Sequence, residues 1–453
     1  MKSTITMRYP TAWHGDMWRE GAPCGNGVVG ALVYGGVGEE YILLNHTRLW
    51  RGGKLADMPD VSAALTEVRQ QLAGERPDLA DGILQQALRD RGYDADTTVP
   101  LPLCDICIRN RSMKTHYGYR RIVDMEKAEV RVSWREKDSL YTRSTFVSRE
   151  DGLCYTRITV QGGELINADV TLQVHDPESM RQQVVLHPST TVREDTVYYS
   201  AETDTVYAPA VGRFGAVMRV QISGGHMFSK GDTISVRDAE EVLLVTSVFV
   251  GMEEKTAFAQ ADVLLGTLTL YDTALERHTA IYSPQFHSTE FSLTPDGTED
   301  TCNELLLLDA FENGMSPELA EKMYAYGRYL FLCAADPEKG LPVHLVGLWN
   351  GSYSCFWAIH MFNVNFEMIY WHTLSGSIPA YQRAALEYLE EFMEDFRCNA
   401  RNIFGCRGIY LDSVHTPESG KAACLANHIL NWTAGAAWVS QHFYNYYRYT
   451  GDV

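Results

Sequence analysis

The sequence predicts a multidomain α and β protein in which an N-terminal β-sandwich is followed by helices. Three observations lead to this prediction. The chain has 453 residues, which is more than one ordinary domain holds. Short segments with strand periodicity recur as far as about residue 269, and long segments with helical periodicity follow Ser316. The hydrophobic content of 45% and the charged content of 21% are typical of a globular protein.

Residues 1–269 are predicted to form the β-sandwich domain. In residues 129–134 (EVRVSW), apolar and polar residues alternate, which is the period of a strand buried on one face. Further segments of this kind follow at the intervals of a large sandwich. One insertion is helical: after Asp60, the expected N-cap, the apolar residues of 61–72 have helical spacing.

Residues 270–313 give a mixed signal and are predicted to be a linker, because polar turn-forming residues cluster in them. Residues 314–453 are predicted to be helical. Ser316 precedes a proline, a glutamate and a long apolar face, which is the pattern of a helix start. Residues 378–400 and 431–452 repeat the helical pattern. The loops between them are rich in Trp, Asn and His, which favours helical hairpins that present loops at one end.

The charge and the hydropathy pattern argue against several kinds of partner. The formal net charge of −19 argues against nucleic acid and against an anionic membrane surface, because both bind basic patches. The sequence contains neither a secretory signal nor an apolar stretch long enough to span a membrane. We therefore expect a cytoplasmic protein, with secretion left open. The oligomeric state is not determined by the sequence.

Two short patterns resemble cofactor motifs but lack the context that such motifs need. Cys104 and Cys107 form a CxxC pair, and neither a second pair nor two nearby histidines follow at zinc-site spacing. Gly25, Gly27 and Gly30 match GxGxxG, but no Rossmann unit follows them, so we expect a tight turn without a phosphate role. No metal ion and no organic cofactor are expected.

Polar residues interrupt the apolar segment 361–371 (MFNVNFEMIYW), which contains Asn363, Asn365 and Glu367. Burying an unpaired amide or carboxylate costs a few kcal/mol, so such groups are either hydrogen-bonded or used for chemistry. Glu367 has a structural alternative, as the partner of a buried arginine or of a backbone N–H group.

Several aromatic residues stand beside amides or carboxylates in the sequence. Trp349 precedes Asn350, and Trp371 follows Glu367 by four residues. Flat aromatic faces combined with amide and carboxylate groups suit a pyranose ring, which has apolar faces and a rim of hydroxyl groups. The alternative for any one tryptophan is a place in the core. The grouping favours a carbohydrate site.

The chain contains five ordered motifs, which are Gly25-Asn26-Gly27 with Leu49-Trp50, Gly347-Leu348-Trp349-Asn350, Asn363-x-Asn365-x-Glu367, Gly405-x-Arg407-Gly408 and Gly435-Ala436-Ala437-Trp438. Together they resemble the motifs of glycoside hydrolase family 95, the inverting alpha-L-fucosidases and their L-galactosidase relatives. The resemblance covers essentially the whole chain. It implies an N-terminal supersandwich followed by an (α/α) six-hairpin toroid.

The resemblance also implies an exo-acting hydrolase that removes terminal alpha-L-fucosyl or L-galactosyl residues from an oligosaccharide or glycoconjugate. Asn363 and Asn365 would be the catalytic residues that hold the attacking water. In the family, a glutamic acid protonates the glycosidic oxygen and an aspartate polarises the two asparagines. The expected sugar contacts are Trp349, Asn350, Glu367, Trp371, Asp412 and His415.

Two features of the sequence depart from the family. The acid and its aspartate come from later helices of the toroid, and the sequence stops at residue 453, so we expect an incomplete toroid and a fragment or truncated product. Residues 412–416 read DSVHT where the family has His-His-Asn-Thr/Ser-Asp, which leaves the sugar open. Glu418 is a candidate replacement acid, although a solvated loop carboxylate is the ordinary case.

Two other functions remain open at this point. The first is a catalytically incomplete sugar-binding or structural remnant of such an enzyme. The second is a glycosidase of another six-hairpin family with the same plan of a sandwich and a toroid. A phosphorolytic member would need an anion site, which the sequence does not offer as a cluster of Arg, Lys or Ser.

Overall fold

The computed structural model describes most of the chain. The described residues are 2–10, 17–52, 55–95, 98–111, 114–175, 184–204, 212–267, 269–295, 300–354, 357 and 359–452. Strands dominate the first half of these residues and helices dominate the second half.

Strands β1 to β18 lie between residues 4 and 250. Their bounds are β1 (Thr4–Met7), β2 (Ala22–Gly25), β3 (Val29–Val33), β4 (Glu39–His46), β5 (Trp50–Arg51), β6 (Val99–Pro100), β7 (Cys104–Asn110), β8 (His116–Asp124), β9 (Glu129–Glu136), β10 (Ser139–Val147), β11 (Cys154–Gln161), β12 (Ile166–Gln173), β13 (Val185–Arg193), β14 (Thr196–Thr203), β15 (Arg213–Ser223), β16 (His226–Lys230), β17 (Thr233–Ala239) and β18 (Glu241–Val250).

Most of these strands form two large antiparallel sheets. One sheet has the order β1-β8-β9-β10-β11-β18-β15-β14-β13, and the other has the order β16-β17-β12-β7-β4-β3-β2. Val132 and Phe214 of the first sheet share one apolar core with Ile42 and Val170 of the second. The alternation predicted for β9 is confirmed, because its apolar side chains are buried and the residues between them are partly exposed. The predicted sheet-rich N-terminal region is thus confirmed.

The strand geometry also separates the two cysteines of the CxxC pair. Cys104 and Cys107 both lie on β7. Residues three apart on a strand point to opposite faces, so the two thiols cannot bind one metal ion together.

The predicted helical insertion is present. It contains α1 (Leu65–Ala73), α2 (Pro77–Ala80) and α3 (Ile83–Asp90). Asp60 Oδ1 accepts the backbone N–H of Ser62 at 3.0 Å, but the N-cap of the short 3-10 turn before α1 is Val61 and that of α1 is Ala64, so the prediction of Asp60 as the N-cap is wrong. Leu88 of α3 packs in one cluster with residues of the later helices, so the insertion lies against the helical half of the chain.

The segment 270–313, which the sequence predicts as a linker, contains two helices. After α4 (Glu254–Gly266) come α5 (Tyr271–Phe286) and α6 (Asn303–Asn313). The buried face of α5 consists of aromatic residues, alanine and histidine at helical spacing, and Pro284 lies inside the helix, so the usual aliphatic pattern is absent. Residues 296–299 of the predicted turn cluster lie outside the described residues. The proposed domain boundaries stay predictions.

The remaining elements are mostly helical, as predicted. They are α7 (Pro317–Ala334), β19 (His360–Met361), α8 (Asn365–Tyr370), α9 (His372–Ser375), α10 (Pro379–Glu390), α11 (Met393–Phe404), β20 (Val414–His415), α12 (Asn427–Leu430) and α13 (Gly435–Thr450). Ser316 Oγ accepts the backbone N–H of Leu319 at 3.2 Å, which confirms the predicted helix start. A turn at residues 391 and 392 divides the segment 378–400 into two helices.

Within the described residues, every helix is too short or too polar to cross a lipid bilayer.

Candidate functional site

Residues 25–30 form the turn between β2 and β3, and Asn26 stabilises it. Asn26 Oδ1 accepts the backbone N–H groups of Val28 at 3.0 Å and Val29 at 2.8 Å, and Asn26 Nδ2 donates to the Ser148 carbonyl at 2.8 Å. The tight turn predicted from the glycine pattern is confirmed.

The glycines of this turn let the sheet approach the helical half closely. Gly27 has a φ of +89° and donates its N–H to the Cys333 carbonyl at 2.9 Å. A Cβ atom on Gly27 would lie 2.3 Å from the Ala335 carbonyl, and one on Gly30 would lie 2.1 Å from the Leu348 carbonyl oxygen. Neither place has room for a side chain, so these glycines serve backbone contact.

Trp349 and Asn350, both predicted to bind sugar, belong to this same contact. Trp349 Nε1 donates to the Cys24 carbonyl at 2.9 Å. Asn350 is 1% exposed, and its Nδ2 donates to the Pro100 carbonyl at 2.6 Å while its other side-chain contacts stay within its own loop. Residues 25–30, Trp349 and Asn350 together form the joint between the sheets and the helices.

The Trp349 side chain also borders open space. It lines a cleft of about 530 Å³ together with Phe331 of α7 and with Met368 and Ile369 of α8. A ligand in this cleft would contact Trp349 but not the Asn350 carboxamide, which the joint encloses.

Strands β19 and β20 bring together two segments that the sequence predicts as sugar-binding. The two strands pair in antiparallel fashion, and beyond them the Phe362 N–H donates to the Ser413 carbonyl at 2.7 Å. Residues 361–371 and 412–416 are therefore neighbours in the fold.

Residues 363–365 form an arch between two packed phenylalanines. Phe362 is 0% exposed, Phe366 is 2% exposed, and their ring centroids lie 4.6 Å apart. Asn363 and Asn365 between them are partly exposed. Neither carboxamide makes a hydrogen bond to another residue of the described part of the chain. Both carboxamides are thus free to bind a ligand.

The middle residue of the arch has an unusual backbone, and Glu367 contacts it. Val364 has a φ of +140°, a region that β-branched residues rarely occupy. Glu367 is 0% exposed, and its Oε2 accepts the Val364 N–H at 2.9 Å. Burial raises the pKa of Glu367 above its ordinary value. Of the structural alternatives for Glu367, the structure shows the bond to a backbone N–H group.

A chain of buried polar side chains lies behind α8. Thr373 Oγ1 donates to Gln382 Oε1 at 2.7 Å, and Gln382 Nε2 donates to His442 Nδ1 at 3.0 Å. Burial lowers the pKa of His442 to about 4, although the Glu367 backbone carbonyl opposes this effect. The ring is therefore neutral at pH 7, and its proton lies on Nε2 because Nδ1 accepts.

Asp412 and His415, two predicted sugar contacts, are enclosed in the interior. Both are 0% exposed. Asp412 Oδ2 accepts the backbone N–H of Ala423 at 2.9 Å, and burial raises the pKa of this carboxyl to about 7. The His415 ring lies 5.2 Å from that of Phe362 and 5.4 Å from that of Phe392, and burial lowers its pKa to about 3. The two residues belong to the segment that pairs with residues 360–362.

Trp371 and Glu418 occupy more open positions. Trp371 follows α8 and is 50% exposed, so its indole ring is accessible to a ligand. Glu418 is exposed on its loop, which is the ordinary place for a carboxylate. The predicted site residues thus lie in four different places: the arch, the protein interior, the joint and the surface.

The sequence analysis did not identify two buried histidines near the arch. His344 and His360 have ring centroids 5.7 Å apart, and both pack against Trp50, at 5.1 Å and 5.2 Å. Burial lowers the pKa of His360 to about 4. The sequence did offer a signal for them, because each of these two histidines lies inside an apolar segment. Over the described ranges, no group of three or more His, Cys, Asp or Glu side chains is arranged to hold a metal ion.

Family models match nearly the whole chain. A model described as the glycosyl hydrolase family 95 catalytic domain matches residues 270–453, and one described as the glycosyl hydrolase family 65 N-terminal domain matches residues 7–253. Residues 270–453 are therefore similar to the catalytic domain of glycoside hydrolase family 95. The family 95 match begins at residue 270, so it includes the segment predicted as a linker together with every predicted site residue.

The curated proteins that resemble this chain include named fucosidases. Over 96% of its length the chain is 26% identical to alpha-L-fucosidase 2 of Arabidopsis thaliana, and over 95% it is 24% identical to probable alpha-fucosidase A of Aspergillus niger. The chain spans about half the length of these curated relatives, 55% and 56% respectively.

A solved structure shares the fold of this chain. The structure described as "Putative kojibiose phosphorylase from human microbiome" superposes on 100% of this chain and 58% of its own, with a TM-score of 0.62 and 12% identity. At this identity the similarity concerns the fold alone.

Proposed function

We propose that this chain carries the water-holding part of an inverting, exo-acting glycoside hydrolase. Its substrates are oligosaccharides or glycoconjugates that end in an alpha-L-fucosyl or L-galactosyl residue. The observation that carries the proposal is the arch: in a chain that resembles family 95, two partly exposed carboxamides without described hydrogen-bond partners flank a valine at positive φ. Polar side chains without protein partners, next to a strained backbone, are typical of a ligand-binding site.

The proposed chemistry follows from the two amides. In an inverting glycosidase, a water attacks the anomeric carbon from the face opposite the leaving group, which a general acid protonates. The Asn363 and Asn365 side-chain oxygens accept hydrogen bonds from that water and orient it. An amide oxygen is a weak base, so a carboxylate behind the amides has to take up the proton. By the family resemblance, we assign this carboxylate and the general acid to later helices of the toroid.

The same resemblance supports a finer description of the fold. We assign the two large sheets to a supersandwich and the helices from α7 onward to the first hairpins of an (α/α) toroid. The shared fold with the solved phosphorylase structure supports this assignment.

The test is an assay of sugar release by the protein expressed from its complete reading frame. Aryl alpha-L-fucoside and aryl L-galactoside are compared under the same conditions, and the anomer released first is identified by NMR. Release of either sugar with inverted configuration supports the proposal. Sugar binding without release supports the alternative of a catalytically incomplete remnant, and release with retained configuration rejects the water-holding role of the asparagines.

A further inference from the structure

The arch is fixed at both of its ends. On one side, the Phe362 N–H donates to the Ser413 carbonyl at 2.7 Å. On the other side, the Val364 carbonyl accepts the Met368 N–H at 2.8 Å as the first bond of α8. The two phenylalanine rings beside the arch are buried against each other. The chain between them therefore has to turn sharply.

Val364 makes that turn with a backbone angle that its side chain disfavours. A φ of +140° brings the branched Cβ substituents of valine into conflict with the backbone, and residues at such angles persist only where their surroundings hold them. The Val364 N–H has one described acceptor, Glu367 Oε2 at 2.9 Å. No cation accompanies this carboxyl within the described residues, and burial raises its pKa.

We propose that Glu367 is a positioning residue, whose carboxyl holds the Val364 N–H and thereby keeps the Asn363 and Asn365 carboxamides directed outward. The catalytic part of this proposal rests on the proposed function, whereas the structural part does not. A carboxyl oxygen at this place holds the middle residue of the arch through its backbone N–H group. Glu367 acts through the arch and does not touch substrate.

The test compares two substitutions of Glu367 with a third that removes the strain. Glu367→Gln keeps a side-chain oxygen for the Val364 N–H and is the matched control. Glu367→Leu has a similar volume but offers no acceptor. Val364→Gly allows positive φ without side-chain conflict. The measurements are hydrogen exchange of the residue 364 amide, kcat and KM for the sugar substrate identified above, and stability in urea.

We expect Glu367→Leu to increase amide exchange at residue 364 by at least tenfold and to lower kcat by at least tenfold, with a smaller change in KM. Glu367→Gln should stay within about threefold of the wild type in each measurement. Addition of Val364→Gly to Glu367→Leu should restore at least part of kcat, because glycine adopts the arch without the carboxyl. If Glu367 only stabilised the fold, Glu367→Leu would lower the stability in urea and leave the kcat of the folded protein unchanged, and that result would reject the positioning role.

Three further outcomes overturn the proposal: unchanged exchange in Glu367→Leu, a loss in Glu367→Gln equal to that in Glu367→Leu, or no rescue by Val364→Gly. If Glu367→Leu does not fold, the rescue is measured as recovery of folding in the double variant, and its absence also overturns the proposal. If the wild type releases no sugar, the proposed function fails, while the exchange measurements still decide whether Glu367 holds the arch.

Discussion

The joint and the arch both carry asparagines of family motifs, yet their hydrogen bonding differs. In the joint, Asn26 and Asn350 bond to backbone groups with both ends of their carboxamides. In the arch, Asn363 and Asn365 have no such partners among the described residues and are partly exposed. Burying a polar group without a hydrogen-bond partner costs free energy. The two joint asparagines avoid this cost because their carboxamides are hydrogen-bonded, so their burial has a structural explanation. Hydrogen-bond satisfaction therefore separates a structural motif from a candidate chemical one.

The two regions also differ in backbone geometry. The joint places its positive φ at Gly27, where the missing side chain makes the angle easy and the close approach to Ala335 possible. The arch places a positive φ at Val364, where the side chain opposes it. Conformation is thus relaxed at the joint and strained at the arch, which is the distribution expected when one region holds the fold together and the other holds reacting groups.

The largest effect is expected from a substitution that disrupts the joint. Gly30→Ala places a methyl group 2.1 Å from the Leu348 carbonyl oxygen, and the backbone has to shift. We expect a loss of about 3 kcal/mol in the free energy of unfolding, measured in urea. Gly163→Ala is the control, because its Cβ would meet open space. Equal stability of the two variants would show that the joint tolerates the methyl group.

The next effect concerns the arch and should leave stability unchanged. In the protein from the complete reading frame, Asn365→Ala removes one of the two groups that we propose to orient the water. We expect kcat to fall about 100-fold, which corresponds to about 2.7 kcal/mol in the activation barrier, with the free energy of unfolding within about 0.5 kcal/mol of the wild type. Asn313→Ala at the end of α6 is the control. An unchanged rate would remove Asn365 from the mechanism.

A third prediction uses pH, because the segment paired with residues 360–362 contains a buried carboxyl, whereas the joint bonds through amides, an indole and backbone groups. Burial raises the pKa of Asp412 to about 7, so the folded state binds this proton more tightly than the unfolded state does. The resulting stability is complete below the ordinary carboxyl pKa and is lost as the pH rises through 7.

The variant Asp412→Asn tests this sign. The neighbouring Tyr93 and Tyr410 hydroxyls stay protonated over the range, because burial raises their pKa values as well. Between pH 5 and pH 8 the wild type should lose about 2.5 kcal/mol more than the variant in urea unfolding. Parallel pH profiles would show that Asp412 titrates in the ordinary range.

Local sequence patterns predicted much of the fold, because periodicity and capping depend on neighbouring residues. The alternation of β9 and the start of α7 at Ser316 are confirmed. The sequence did not predict helix α5, because aromatic residues make up much of its buried face and Pro284 lies inside the helix. The division of residues 378–400 into α10 and α11 has no evident cause in the sequence.

The candidate site was less predictable, because contacts distant along the chain decide the surroundings of each residue. The motif singled out Asn363 and Asn365 as candidates, but nothing near Asn350 in the sequence shows that its amide bonds to Pro100. Likewise, the phenylalanines that enclose His415 come from β19–α8 and from the α10–α11 turn. Sequence patterns therefore locate an asparagine, and the fold decides what it contacts.

The smallest effect is expected from a substitution that tests whether the surface beside the arch takes part in sugar binding. Trp371 is 50% exposed, so Trp371→Ala should change the free energy of unfolding by less than about 1 kcal/mol. If the indole ring packs on a face of the sugar, its loss should raise KM about fivefold, as expected for an aromatic contact worth about 1 kcal/mol. Phe311→Ala on α6 is the control, because Phe311 is 88% exposed and lies outside the arch. An unchanged KM would restrict the sugar site to the arch, whereas a fall in kcat at constant KM would show that Trp371 acts on the arch backbone through α8.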